Sequence, residues 1–210
     1  MLRVIIADDH PVVLKGLKEI LLESFENMTI DEAVKGYDLI NRVQNSDYDL
    51  VLLDISLPDI NGLEVLREIK KRKPKLAVLI VSMYPEDQYA ARAMKAGAQG
   101  YLTKRSASDE LVMAVRKILS GKRYISPAFA AKLIYDFESE IEGPPHEKLS
   151  DRELQVACLI GRGKTIRGIA SDLNLSINTV RTYRVRILEK IGAKGTNELI
   201  HYAVTHNLTE

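Results

Sequence analysis

Five polar side chains stand where apolar runs stop. Leu2–Ala7 runs into Asp8-Asp9, Leu50–Leu53 into Asp54, Leu76–Val81 into Ser82, and the shorter Gly100–Thr103 into Lys104. Three carboxylates, a hydroxyl and an ammonium suit a divalent cation together with a phosphoryl group. Mg²⁺ takes oxygen ligands, keeps several waters, and is commonly held by one or two carboxylates plus a phosphate. Asp9 and Asp54 would ligate directly, Asp8 through water, and the main-chain carbonyl of Ser56 would complete the protein's share. Once a cation offsets the repulsion between anions, a carboxylate can attack phosphorus, and Asp54 is the best placed to become an aspartyl phosphate. Lys104 would pair with one phosphoryl oxygen and Ser82 would donate to another. Singly, an acid after a strand is more often a helix cap. Capping does not account for five residues of suitable type at four strand ends.

The elements that must position these residues follow from periodicity. Short continuous apolar runs separated by helix-patterned stretches read as buried parallel strands, and open α/β sheets bind ligands outside the carboxyl ends of their strands. Pro11 starts a helix with the apolar stripe Val12, Val13, Leu17, Ile20 and Leu21. A second strand is expected over Thr29–Val34, then a helix carrying Leu39, Ile40 and Val43. After Asp54, Ser56-Leu57-Pro58-Asp59-Ile60-Asn61-Gly62 has turn chemistry and leads into a helix ended by Lys73-Pro74. Further helices are expected at Glu86–Ala96, closed by Gly97, and Ser108–Leu119, closed by Gly121. Five βα units make a doubly wound parallel sheet.

Beyond residue 122 the pattern changes. A short helix is expected at Pro127–Phe137, and Glu138–Lys148, acidic and holding Gly143-Pro144-Pro145, reads as an exposed linker. From Leu149 on, four short helices fit: Asp151–Ile160, Thr165–Leu173, Ile177–Ile191 and Thr196–His206. Ser150 with Glu153 has the capping-box spacing, Asn174 suits a tight turn, and Ser176 caps the helix after it. The domains expected are therefore 1–122, a linker 123–148, and an all-α domain 149–210.

The chain is 46% hydrophobic and 28% charged, with a net charge of +1, so a packed core is easily supplied. No apolar run reaches the ~20 residues of a membrane span, and the start carries no basic leader pattern, so a cytoplasmic location without membrane contact is expected. Cys158 is the only cysteine, excluding an internal disulfide; it reads as a small core residue. Residues 150–210 hold 9 Lys/Arg against 6 Asp/Glu, which places any polyanion contact at the C-terminal end. His10, His146, His201 and His206 show no metal-ligand spacing, and His10 is given no role beside the acidic pair.

Asp8-Asp9-His10-Pro11, Leu53-Asp54-Ile55-Ser56-Leu57-Pro58-Asp59-Ile60-Asn61-Gly62, Ser82 and Gly100-Tyr101-Leu102-Thr103-Lys104 together resemble the receiver domain of two-component response regulators. The resemblance covers about residues 1–122, with Leu57 where many relatives carry Met. It implies that Asp54 accepts a phosphoryl group from a sensor histidine kinase, with Mg²⁺ on Asp9, Asp54 and the Ser56 carbonyl. It also implies that Ser82 and Tyr101 are a switch pair, the hydroxyl moving toward the phosphate as the ring turns inward.

In the tail, Ile169-Ala170, Leu173, Leu175 and Ser176–Val180 read as helix, turn, helix. The second helix alternates a core stripe (Val180, Tyr183, Ile187, Leu188, Ile191) with exposed Arg181, Thr182, Arg184, Val185 and Arg186, the layout of a recognition helix for the DNA major groove. Leu149–Glu153, Gly163-Lys164-Thr165, Thr179–Tyr183 and Glu189–Lys194 resemble the DNA-binding domain of NarL/FixJ (LuxR-type) regulators. By position, the resemblance implies base contacts at Arg181, Thr182 and Val185, and phosphate contacts at Arg184, Arg186 and Lys164. Gly168 departs from it, standing where relatives usually carry Glu; an interior helical glycine costs about 1 kcal/mol.

The expected function is a response regulator: Mg²⁺-dependent phosphorylation of Asp54 switches sequence-specific binding to double-stranded DNA, by a homodimer when phosphorylated. RNA polymerase is a further candidate partner. In the resting state the first domain is expected to cover the recognition or dimer surface of the second. The chain is expected to be no independent enzyme, self-dephosphorylating only slowly. A Mg²⁺-dependent aspartyl phosphatase is the enzymatic rival, but such enzymes generally place an acid two residues after the nucleophile, where this chain has Ser56. A tail that binds protein or RNA instead of DNA is the other.

Overall fold

The computed structural model describes residues 1–106, 108–138 and 144–209, and the chain divides into two compact units, Met1–Glu138 and Ser139–Glu210. In the first, five strands form one parallel sheet in the order β2-β1-β3-β4-β5. They are β1 (Leu2–Ala7), β2 (Met28–Ala33), β3 (Leu50–Leu53), β4 (Ala77–Ser82) and β5 (Gly100–Thr103). β2 lies one residue earlier than its apolar pattern predicts, because Met28 pairs with Leu2 in register.

Helices α1 (Pro11–Ser24), α2 (Gly36–Asn45), α3 (Gly62–Arg72), α4 (Glu86–Lys95) and α5 (Ser108–Leu119) alternate with the strands. The doubly wound fold has its physical cause in the strand period of two. Val4 and Ile6 of β1 pack in one buried cluster with Leu14 and Leu21 of α1 and Leu111, Ala114, Val115 and Ile118 of α5. Ile5, between them, is fully buried on the opposite face. A strand buried on both faces shows no alternation, which is why β3 reads as an unbroken Leu-Val-Leu-Leu.

The edge carrying the polar residues is held by the sheet itself. The ladder continues one residue past the strands: Asp8 N–H donates to Ala33 O (3.1 Å), Asp54 N–H to Ala7 O (2.9 Å) and Lys104 N–H to Ser82 O (2.8 Å). The loop after Asp54 is also tied down. Asn61 caps α3 by accepting from Leu63 N–H (2.9 Å), and Asp59 accepts from Gly36 N–H (2.8 Å) and Tyr37 N–H (3.0 Å), capping α2 from outside its own sequence. Gly62 must be glycine: a Cβ there would lie 2.1 Å from the Asp54 carbonyl oxygen.

The helix expected at Pro127–Phe137 is α6 (Pro127–Glu138). It falls within the first unit and is tied to α4, through Ser126 Oγ donating to Glu86 (2.6 Å) and Lys132 Nζ donating to Asp87 O (2.7 Å). Of the predicted linker 138–148, residues 139–143 lie outside the described residues. The segment next to it, Pro145–Lys148, forms a short 3-10 turn.

The second unit holds α7 (Asp151–Gly161), α8 (Ile166–Asp172), α9 (Ile177–Ile191) and α10 (Thr196–Thr205), close to the predicted spans. The capping box of Ser150 and Glu153 is complete, Ser176 caps α9, and Asn174 takes a left-handed φ of 50°. Leu199 and Ala203 of α10, Val180 and Ile187 of α9 and Ile169 of α8 share its core with the apolar residues of α7, Cys158 among them.

Candidate functional site

At the carboxyl edge of the sheet the Lys104 ammonium bridges two buried carboxylates, 2.7 Å from Asp54 Oδ2 and 2.6 Å from Asp8 Oδ2. Burial pushes the Asp54 carboxyl above the usual range; Lys104 opposes this and the Asp8 charge adds to it. Burial pulls Lys104 down, but the two carboxylates outweigh it and hold the ammonium above its ordinary value. With Asp9 beside them, the carboxylates outnumber the cation. The deficit is local as well: Asp54 Oδ1 is buried without a hydrogen-bond partner among the described residues. A buried carboxylate oxygen left unpaired is costly, and a divalent cation is the group that would satisfy it.

Asp8, Asp9, His10 and Asp54 each offer a donor atom within 4.8 Å of the others. Hard oxygen donors from three carboxylates fit Mg²⁺. The Ser56 backbone stands beside them, its N–H acting on Asp54 and lowering that carboxyl's pKa. His10, which sequence reasoning left without a role, turns its Nδ1 to Asp9 Oδ1 (2.8 Å) and Asp8 Oδ1 (3.1 Å). Adjacency to two acids was the available signal; the side-chain rotamer that realises it is not written in the chain.

Ser82 is buried at the end of β4 and its Oγ accepts from Tyr84 N–H at 3.4 Å. Tyr101 is already turned inward: its ring is buried and its hydroxyl donates to Tyr84 O at 2.8 Å. Burial raises the Tyr101 phenol well above its ordinary value, so it stays protonated and remains a donor. Tyr84 itself stacks on Tyr89 of α4, ring centroids 4.6 Å apart. The β4–α4 loop thus links Ser82 and Tyr101 to α4.

In the second unit, Arg181, Thr182, Val185 and Arg186 lie exposed on α9, with Val185 49% open despite being apolar. Two expectations need correction. Arg184 is half-buried and its Nε donates to Thr196 Oγ1 (2.8 Å), so it ties α9 to the start of α10 instead of standing free on the helix face. Of the expected core stripe only Val180 and Ile187 are buried, while Tyr183, Leu188 and Ile191 are half-buried. Lys164 is exposed but ion-paired with Asp172, and the Thr182 hydroxyl donates to Asn178 O at 3.0 Å. α9 is braced from behind, where Lys190 Nζ meets Glu153 Oε2 at 2.6 Å, the same oxygen that accepts from Ser150 N–H at 2.8 Å.

The chain matches the response regulator receiver domain over residues 4–116 and the luxR family of bacterial regulatory proteins over residues 147–203. Both matches fall on the units just described. The chain is a two-component response regulator of the NarL/FixJ (LuxR-type) family. It is 35% identical to the response regulator GacA of Pseudomonas aeruginosa over 211 residues, covering 100% of this chain and 99% of that one. It is 36% identical to the response regulator UvrY of Escherichia coli K12, covering 99% and 96%. A solved structure of the RcsB response regulator of Salmonella typhimurium matches with a TM-score of 0.59 at 26% identity, covering 97% of this chain and 98% of that one. An RcsB–DNA complex matches with the same score and coverage. This response regulator combines a receiver with a LuxR-type DNA-binding domain and is a regulator of transcription. Among its described residues no helix is long and apolar enough to cross a membrane.

Proposed function

We propose that this regulator is switched by Mg²⁺-dependent phosphorylation of Asp54, and that the phosphorylated form binds promoter DNA as a dimer through α9. The observation that carries the reading is the buried Asp8–Lys104–Asp54 arrangement, in which one Asp54 oxygen is held by Lys104 and the other has no partner among the described residues.

The Asp54 carboxylate would attack the phosphorus of a phosphohistidine on a sensor kinase, the P–N bond breaking as the P–O bond forms and the imidazole leaving. Bound Mg²⁺ would offset the repulsion between carboxylate and phosphoryl group. Asp9, Asp54 and the Ser56 carbonyl would hold it, with Asp8 through water. Lys104 would move its ion pair from Asp54 to a phosphoryl oxygen, and Ser82 would give up its weak 3.4 Å bond to donate to another. Tyr84 would follow, since its carbonyl accepts from Tyr101 and its ring stacks on α4. Arg181, Thr182 and Val185 would read base edges, with Arg186 and Lys164 on phosphates. Arg184 would reach a phosphate only by leaving Thr196.

Incubation with a small phosphodonor and Mg²⁺ should add one phosphoryl group per chain. It should be absent in Asp54→Asn and released by hydroxylamine, as an acyl phosphate is. Incorporation that persists in Asp54→Asn would place the acceptor elsewhere.

A further inference from the structure

We propose that His10 is a fourth ligand of the cation site, and that it tilts the site from Mg²⁺ toward divalent ions that accept nitrogen, such as Mn²⁺, Co²⁺ and Zn²⁺. The inference rests on reading Asp8, Asp9 and Asp54 as a cation site and adds a side chain that this reading does not use.

His10 occupies the N-cap position of α1, yet its side chain makes no cap hydrogen bond. It turns back instead, placing Nδ1 between Asp9 Oδ1 at 2.8 Å and Asp8 Oδ1 at 3.1 Å. The main-chain N–H of His10 donates to that same Asp8 oxygen at 2.9 Å, and Pro11 follows at the first helical position, so the backbone carrying the ring is fixed. The ring nitrogen therefore lies among the carboxylate donors before any ion arrives. The unpartnered Asp54 Oδ1, fully buried, is the second observation that something is missing at this point.

The Asp9 and Asp54 carboxylates and the Ser56 carbonyl joined by one imidazole are a donor set that Mg²⁺ favours less than an all-oxygen one. Mg²⁺ demands oxygen and sheds water reluctantly, whereas imidazole suits later first-row ions, whose affinity rises from Mn²⁺ through Co²⁺. Nδ1, now hydrogen-bonded to Asp8 Oδ1 and 2.8 Å from Asp9 Oδ1, would turn its lone pair to the ion, with the N–H on Nε2. The ring is largely exposed, so Nε2 stays hydrated when Nδ1 binds. A micronutrient ion would then compete for the place that phosphorylation needs, making this regulator sensitive to the divalent ion present.

The test uses the full chain and the metal ions alone. Calorimetric titrations with Mg²⁺ and Co²⁺ give an affinity ratio, and pulsed electron paramagnetic resonance of the Mn²⁺-loaded wild type reports directly on nitrogen ligation. The expected result is nitrogen modulation on Mn²⁺ that disappears in His10→Ala, with the Co²⁺-to-Mg²⁺ ratio falling about tenfold or more. His10→Gln, which restores bulk and a hydrogen bond but no imidazole, should behave like the alanine variant. Wild-type Mn²⁺ without nitrogen modulation, or a ratio unchanged in both variants, would leave His10 as an anchor for the two carboxylates and overturn the proposal alone. Failure of the wild type to bind either ion would overturn the cation site with it.

Discussion

Lys104 Nζ stands 2.7 Å from Asp54 Oδ2, although the two residues are 50 positions apart and end strands that are not neighbours. β4 lies between β3 and β5, so the ammonium reaches across the end of the intervening strand, whose last residue is Ser82. The bridge brings charges from three strands to one point, since Asp8 follows β1.

Removing the ammonium should leave two buried carboxylates without a counter-charge. Lys104→Met is expected to cost about 3–5 kcal/mol in the absence of divalent ions, the usual penalty for breaking a buried pair. Mg²⁺ should recover part of that loss by mass action. Urea denaturation with and without Mg²⁺ measures both; equal stability of variant and wild type without metal would show that the bridge contributes nothing.

Asp54 sets a pH dependence whose sign is fixed by its raised pKa. In the window from the ordinary carboxylate value up to the raised value, the folded state holds more protons than the unfolded one. Stability therefore falls as pH rises through that window. Asp54→Asn should remove this slope and stabilise the metal-free protein at neutral pH by about 1 kcal/mol, or ~2–4 °C in Tm. Thermal melts across the window check it, and an asparagine variant that melts lower than the wild type would contradict it.

Glu153 works in the opposite direction. Burial raises its carboxyl, but Lys190 and Ser150 outweigh that and hold it below the ordinary glutamate value. Its contribution is present at neutral pH and is lost as pH falls below the ordinary range through the lowered value. Glu153→Ala removes half of a capping box and the brace on α9, an expected loss of about 2 kcal/mol. Faster amide exchange in both α7 and α9 is the readout that separates this from simple fraying of α7.

Gly168 offers a gain instead of a loss. The sequence suggests an interior helical glycine, but α8 begins at Ile166, so Gly168 is its third residue and its N–H donates to the Thr165 cap at 3.1 Å. Half a capping box is in place. Gly168→Glu would complete it as Glu153 completes the one at Ser150, although the new Cβ would sit 3.3 Å from Thr165 Oγ1 and the hydroxyl must give slightly. A net stabilisation of ~0.5–1 kcal/mol is expected, read as a higher Tm for Ser139–Glu210. A lower Tm would mean the contact does not relax.

The strands, the order of polar residues at their ends and the helix-turn-helix were legible because period and capping are local properties of the chain. Ser150, Asn174 and Ser176 behave as their residue types require. What escaped depends on distant partners or on rotamers. Asp59 reads only as a turn residue, yet it caps α2, whose own N-cap position holds Lys35 and has no side-chain acceptor to offer. Arg184 lies in a basic run that periodicity places outward, but Thr196 arrives from the next helix to hold it. α6 follows a composition shift that suggests a connector, yet Ser126 and Lys132 find partners on α4 that no local pattern announces.

The most direct test of coupling between the acidic site and α9 is DNA affinity of the full chain at fixed salt. It is measured with and without a small phosphodonor plus Mg²⁺, for the wild type and Asp54→Asn. The donor should tighten binding of the wild type and leave the variant unchanged. Equal affinity in all four conditions would contradict a phosphorylation switch, and tightening in the variant would contradict Asp54 as its site.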